Sequence, residues 1–189
     1  MSNQPITVLE VNGISYQAKG SFMFETLANK KYSSTNRNND KIKGFNTLYQ
    51  ELLDESIEAL VKFWDCAVAH LAQRPSYDAI VEALTKKVEE EGTTVNLLRG
   101  ALEVLDESAF FKRNSQKFWN NGKLAVKLSK TEEEKEEAEE ANEMLRAMYK
   151  DLMGYYPGEK PKEQPVQAPQ VERPAIQEAV TNQPTHSNF

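Results

Sequence analysis

The side chains best suited to chemistry lie between residues 110 and 130. Phe110, Phe111, Phe118 and Trp119 interleave there with Lys112, Arg113, Lys117, Lys123 and Lys127. Aromatic faces stack on bases, and cationic groups hold phosphates, so the composition suits a single-stranded nucleic acid. Two plainer roles compete. The aromatics can complete the core of the helix before them, and the basic groups can pair with an acidic helix after them. Residues 112–130 hold six basic side chains and no acidic one, whereas the next segment opens TEEEKEEAEE. That acidic neighbour competes with phosphate for the same lysines, and the whole chain carries a net charge of −6. Both facts weigh against nucleic acid as the partner. It stays as the alternative reading: a nucleic-acid-binding or regulatory helical module using 110–130.

Nothing in the chain is arranged for bond-making chemistry. The two histidines, His70 and His186, lie far apart in sequence, and no Cys/His cluster has metal-ligand spacing. No glycine-rich loop could cradle a phosphate, and no serine sits in a GxSxG frame. The carboxylates of 132–143 belong to a solvated helix, where pKa shifts are small. The expectation is a non-enzyme with no cofactor, metal or catalytic residue. His70 reads as a flank residue of a packed helix, and the single cysteine, Cys66, as a packed structural thiol.

One cysteine excludes an internal disulfide and fits a reducing compartment. No apolar run approaches a membrane span, and MSNQPITVLEV lacks the pattern of a secretory signal. A soluble cytoplasmic protein with no membrane partner is expected. Charge divides the chain. Residues 1–130 carry 17 Lys/Arg against 16 Asp/Glu, and residues 131–189 carry 6 against 13.

These residues need elements to position them. TVLEVNGISYQA reads as a hairpin, because a two-residue Asn12-Gly13 loop suits a type I′ turn. The turn pairs Val11 with Ile14, Leu9 with Tyr16 and Thr7 with Ala18. One face is then Leu9, Val11, Ile14, Tyr16 and Ala18, almost wholly apolar, and must be covered. Ser21 caps a helix that buries Phe24, Leu27 and Ala28. The polar stretch 33–43 reads as a flexible loop. Four helical patterns follow: 44–52 (Phe45, Leu48, Tyr49, Leu52), 54–72 opened by Asp54 (Ile57, Leu60, Val61, Trp64, Val68, Leu71), 76–91 stopped by Gly92 (Tyr77, Ile80, Val81, Leu84, Val88), and 94–111 (Leu98, Ala101, Leu102, Leu105, Ala109). Glu58 and Lys62 form an i,i+4 pair. Thr131 and Glu134 make a capping box for an acidic helix that Gly154 ends. Its apolar positions Ala138, Ala141, Leu145, Met148 and Leu152 follow heptad spacing and could pair with a partner helix.

The expected architecture is mainly α with an N-terminal β-hairpin. A hairpin-plus-helices unit covers 1–112, a basic-aromatic connector 113–130, and an acidic helix 131–154. A disordered Pro/Gln-rich tail covers 155–189. Candidate partner-binding residues are Phe110, Phe111, Phe118, Trp119, Leu145, Met148 and Leu152. Self-association through the hairpin's outer strand or the heptad seam is a further expectation.

The order ITVLEVNGISYQAKGSFMF, DESIEALVKFWDCAVAH, RPSYDAIVEALTKKVEEEG and TTVNLLRGALEVLDESAFF resembles the tail assembly chaperones of long-tailed phages, in the group common in phages of Gram-positive hosts. The resemblance covers residues 5–112. It implies a protein that binds the tape measure protein and keeps it soluble in the host cytoplasm while the tail tube assembles. It implies absence from the mature virion, and contact with the tail tube protein through a frameshifted longer form. It carries no catalytic motif and no residue signature of binding. The chain departs from the compact family pattern in the expanded loop 33–43 and in residues 113–189.

Overall fold

Asn12 and Gly13 turn the chain with φ of 52° and 77°. They join β1 (Val8–Val11) to antiparallel β2 (Ile14–Gln17), with Val11 opposite Ile14 and Leu9 opposite Tyr16. That is the expected register. The computed structural model of the chain describes residues 4–36 and 39–159. Among the described residues it forms four short strands and seven helices.

The ribbon's inner face lies on the helices. Leu9, Val11 and Ala18 are buried, and Tyr16 packs partly against them. Ile14 departs from expectation: it shares that face but is 57 % exposed, whereas Val11 opposite it is buried. Ile6, ahead of β1, donates its N–H to the carbonyl of Asn96 at 2.8 Å and so ties the ribbon to the fifth helix. Val11→Lys puts an unpaired ammonium into this seam and is expected to cost about 3 kcal/mol or more. Gln17, exposed on the other face, should accept lysine within about 0.5 kcal/mol. Urea midpoints of the two variants measure the difference, and equal midpoints would refute the register.

Helix α1 (Phe22–Lys31) starts where Ser21 Oγ accepts from the N–H of Phe24, and it buries Phe24 and Ala28. The polar loop is partly ordered, against expectation. Ser34–Thr35 (β3) pairs with Lys41–Ile42 (β4), and Asn36 and Asp40 hydrogen-bond across the turn. Short side-chain bonds from Asn and Asp let so polar a segment hold a shape without a core. Helix α2 (Gly44–Leu53) buries Phe45, Leu48, Tyr49, Leu52 and Leu53.

Helix α3 (Ile57–Ala67) begins later than Asp54 suggested. Asp54 instead terminates α2, Glu55 reverses the chain at φ 54°, and Ser56 is the N-cap. This moves the buried stripe. Ile57 is 70 % exposed in the first turn, whereas Phe63, absent from the expected stripe, is fully buried. The helix also ends at Ala67, and His70 lies beyond it with Nδ1 3.1 Å from the Ala67 carbonyl. Lys62 reaches Glu58 (3.3 Å) as expected and also Glu51 on α2 (3.0 Å). Asp65 is a buried carboxylate held by Lys31 (2.9 Å), the Tyr32 hydroxyl (2.7 Å) and Arg74 (3.5 Å). Beside it, burial pushes the Cys66 thiol well above its usual range, with Asp65 adding to the shift. A neutral, buried thiol is a packing group.

Helix α4 (Tyr77–Glu91) is capped by Ser76 and stopped by Gly92 at φ 68°. Ile80 and Leu84 are buried, while Tyr77 and Val81 stay more than a third exposed. Helix α5 (Val95–Glu107) buries Leu98, Ala101, Leu102 and Leu105 but stops before Ala109, which is exposed. The basic-aromatic connector is a helix, α6 (Lys112–Leu128), and α7 (Glu132–Met153) follows with its capping box in place. The tail expected from residue 155 is ordered at its start: Tyr155 stands edge-on to Tyr149, and Glu159 closes a turn on Tyr156. The remainder, from 160, lies outside the described residues. Among the described residues, no helix is long and apolar enough to cross a membrane.

Candidate functional site

The residues singled out from sequence separate into core, groove and surface. Phe111 is buried, stacked on Phe45 at 5.1 Å and edge-on to Phe24 at 5.0 Å. Trp119 is also buried. Neither ring is free to stack on a base, so the nucleic-acid reading loses two of its four aromatics. Phe110 is exposed and meets the exposed Phe22, edge to face at 4.9 Å. Phe110 borders a shallow apolar depression of about 420 Å³ that includes Val104 and Ala109.

The other candidates converge where α2, α5, α6 and α7 meet. Three amphipathic helices leave a trough between their apolar stripes, and α7 lies in it. Leu152 is buried, and Leu145 and Met148 are half-buried. The acidic helix's seam is therefore packed against its own chain. Its second half sits on the body, while residues 132–137 all face solvent. No ion pair joins α6 to α7 among the described residues, so apolar packing and hydrogen bonds hold the hairpin.

Beneath this helix is a polar chain that sequence reasoning missed. Trp119 Nε1 donates to the Tyr49 hydroxyl at 3.1 Å. That hydroxyl donates to Asp106 Oδ1 at 2.9 Å, and the Tyr149 hydroxyl donates to Oδ2 at 2.7 Å. Asp106 thus ties α2 to α7 through its two oxygens. Burial holds its carboxyl above the usual range, although both tyrosines pull the other way. Burial, then the Asp106 charge, pushes both hydroxyls far above their ordinary values. With each phenol donating to one oxygen of Asp106, the arrangement is an interlock rather than a proton relay. Arg99 adds a bond from its Nε to the Leu152 carbonyl at the end of α7.

Tyr149 stands four residues after Leu145, one position past the heptad site that pointed to Met148. An α-helical stripe of 145, 149 and 152 would have found it. Asp106 carries no sequence signal, because its partners lie 57 and 43 residues away.

Space remains on both sides of α7. A cavity of about 520 Å³ opens beside Ile42, Phe118 and Leu145, rimmed by Asn46, Gln50 and Asn142. Another of about 390 Å³ lies on the Tyr149 side, with Lys112, Lys123 and Arg146 at its edge. Chemically, these surfaces can receive apolar side chains and amides. No group of three or more His, Cys, Asp or Glu side chains could hold a metal ion among the described residues.

Comparison with known proteins adds one result. A family model described as phage tail assembly chaperone protein, TAC, matches residues 8–120. The match runs from β1 into α6 and leaves α7 beyond it. No curated protein and no solved structure matches the chain.

Proposed function

Since the chain belongs to the phage tail assembly chaperone family, we propose that it binds the tape measure protein and keeps it soluble while the tail tube assembles. The family is not an enzyme class, and its members work through protein partners. The observation that carries the finer reading is the trough among α2, α5 and α6, which already seats an amphipathic helix. A tape measure protein is a long helical chain with apolar stripes, and apolar grooves between helices are how such a client is held. The protein would act in the host cytoplasm, without catalysis, and be absent from the finished virion. The tail tube protein would be engaged through a longer, frameshifted form.

Co-expression with the tape measure protein of the same genome tests this. The client should move from the pellet to the soluble fraction and co-purify with a tag on this chain. An insoluble client in the presence of abundant soluble chaperone would refute the reading.

A further inference from the structure

We propose that the trough holding the second half of α7 is the client-docking site, that α7 is its resident occupant, and that an amphipathic client helix takes its place. The proposal rests on the chaperone reading and names the surface that would serve it.

Three observations converge. First, the seated helix presents Leu145, Met148, Tyr149 and Leu152, spaced i, i+3, i+4 and i+7. This is the anchor pattern by which an amphipathic helix lies in a groove. The trough therefore takes a helix by demonstration, and its floor supplies both aromatic surface and the Asp106 acceptor for a polar tip. Second, α7 lies outside the matched family region, whereas most of the trough's walls, α2, α5 and the first half of α6, lie inside it. The groove belongs to the shared body and its filling to this chain's extension. Third, α7 fits loosely. Cavities of about 520 and 390 Å³ flank it, and its first turns stand in solvent. These are open clefts, and a helix bordered by clefts on either side forgoes contacts that bulkier side chains could make.

An occupant in cis lowers the apparent affinity of any competitor by the fraction of molecules in which the site is open. Client side chains larger than those of α7 could fill the flanking space and so prevail.

The geometry of α6 and α7 offers a direct test. A Cβ at Gly122 would lie 3.9 Å from the Cβ of Asn142, within the range a disulfide spans. The full chain carrying Gly122→Cys and Asn142→Cys can thus be closed by oxidation and reopened with reductant. Cys66 is fully buried and does not interfere. Two probes are applied: the co-expressed tape measure protein, and a fluorescent peptide of residues 132–155. Both should bind the reduced protein, and oxidation should weaken each by more than about tenfold. In the unlocked chain, Leu152→Ala should strengthen peptide binding, because it loosens the resident helix.

The outcomes separate. If the oxidised and reduced proteins hold the tape measure protein equally, the docking proposal is overturned and the chaperone reading stands. If neither form nor the wild type holds it, the chaperone reading falls with its client. A peptide that ignores the lock overturns the groove itself.

Discussion

Gly100→Ala should lower the melting midpoint by about 10 °C. The size of that effect follows from a steric argument that reverses the usual rule. In a helix interior, alanine is ordinarily better than glycine by about 1 kcal/mol. At Gly100 the new methyl would sit 1.9 Å from the carbonyl oxygen of Ile6 and 2.5 Å from its carbon. Both are backbone atoms, so no rotamer change relieves the clash, and the segment ahead of β1 must lift off α5. The Ile6–Asn96 bond is lost, and the displacement carries into the adjoining β1, loosening the packing of Leu9 and Val11 on α4. Each of those side chains is worth about 1.5–3 kcal/mol when buried. A net loss of about 3 kcal/mol corresponds to a shift near 6–12 °C in a chain of this size. Gly122→Ala is the matched control. Its methyl meets the end of the Asn142 side chain, at 2.6 Å, which can swing away. The midpoint of that variant should stay level or rise slightly in a thermal melt followed by circular dichroism. Equal destabilisation by the two changes would refute the close approach of ribbon and helix.

Asp106→Ala is the second large effect expected, at about 2–5 kcal/mol. Removing the carboxylate leaves the hydroxyls of Tyr49 and Tyr149 without their acceptor, and both rings are buried. An orphaned buried group costs about 1–3 kcal/mol. Removing the phenol instead, by Tyr149→Phe, should cost less, because Asp106 keeps its bond to Tyr49. The same residue sets a pH dependence. The folded state holds the Asp106 proton more tightly than the unfolded chain does. Its contribution to stability is therefore fully present below the unfolded pKa, near 4, and is lost as pH rises through the higher folded value. Asp106→Asn removes that component. Wild-type stability minus that of Asp106→Asn should fall across this window, and denaturant titrations at several pH values measure it. A rising difference would mean that the two hydrogen bonds outweigh burial.

Local chemistry was legible wherever one residue decides a conformation. Asn12-Gly13 yields the register, Ser21 and Ser76 the helix starts, and Thr131 with Glu134 the capping box, because each acts within three or four residues. The start of α3 was misread because Asp54 and Ser56 are both good caps two positions apart. Only the reversal at Glu55, which α2 needs in order to pack on α3, decides between them. The candidate site was legible as composition but not as arrangement. Phe110 and Phe111 are adjacent and identical in type, yet one faces water and the other lies in the core. The turn that leads into α6 makes that difference, and the burial of Phe111 depends on Phe24 and Phe45, far back in the sequence. Asp106 shows the same limit, since its role exists only once three helices have met.

The bond from Ile6 to Asn96 has a consequence in time. Synthesis delivers the ribbon first, the helix α4 on which β1 packs roughly seventy residues later, and the Asn96 carbonyl of α5 roughly ninety residues later. At a bacterial ribosome's pace of about 5–20 residues per second, the apolar side of the hairpin waits some 5–20 seconds for cover. During that interval Leu9 and Val11 are open to whatever nascent chain lies nearby. A member of an assembly chaperone family thus begins its own life with apolar surface in need of cover.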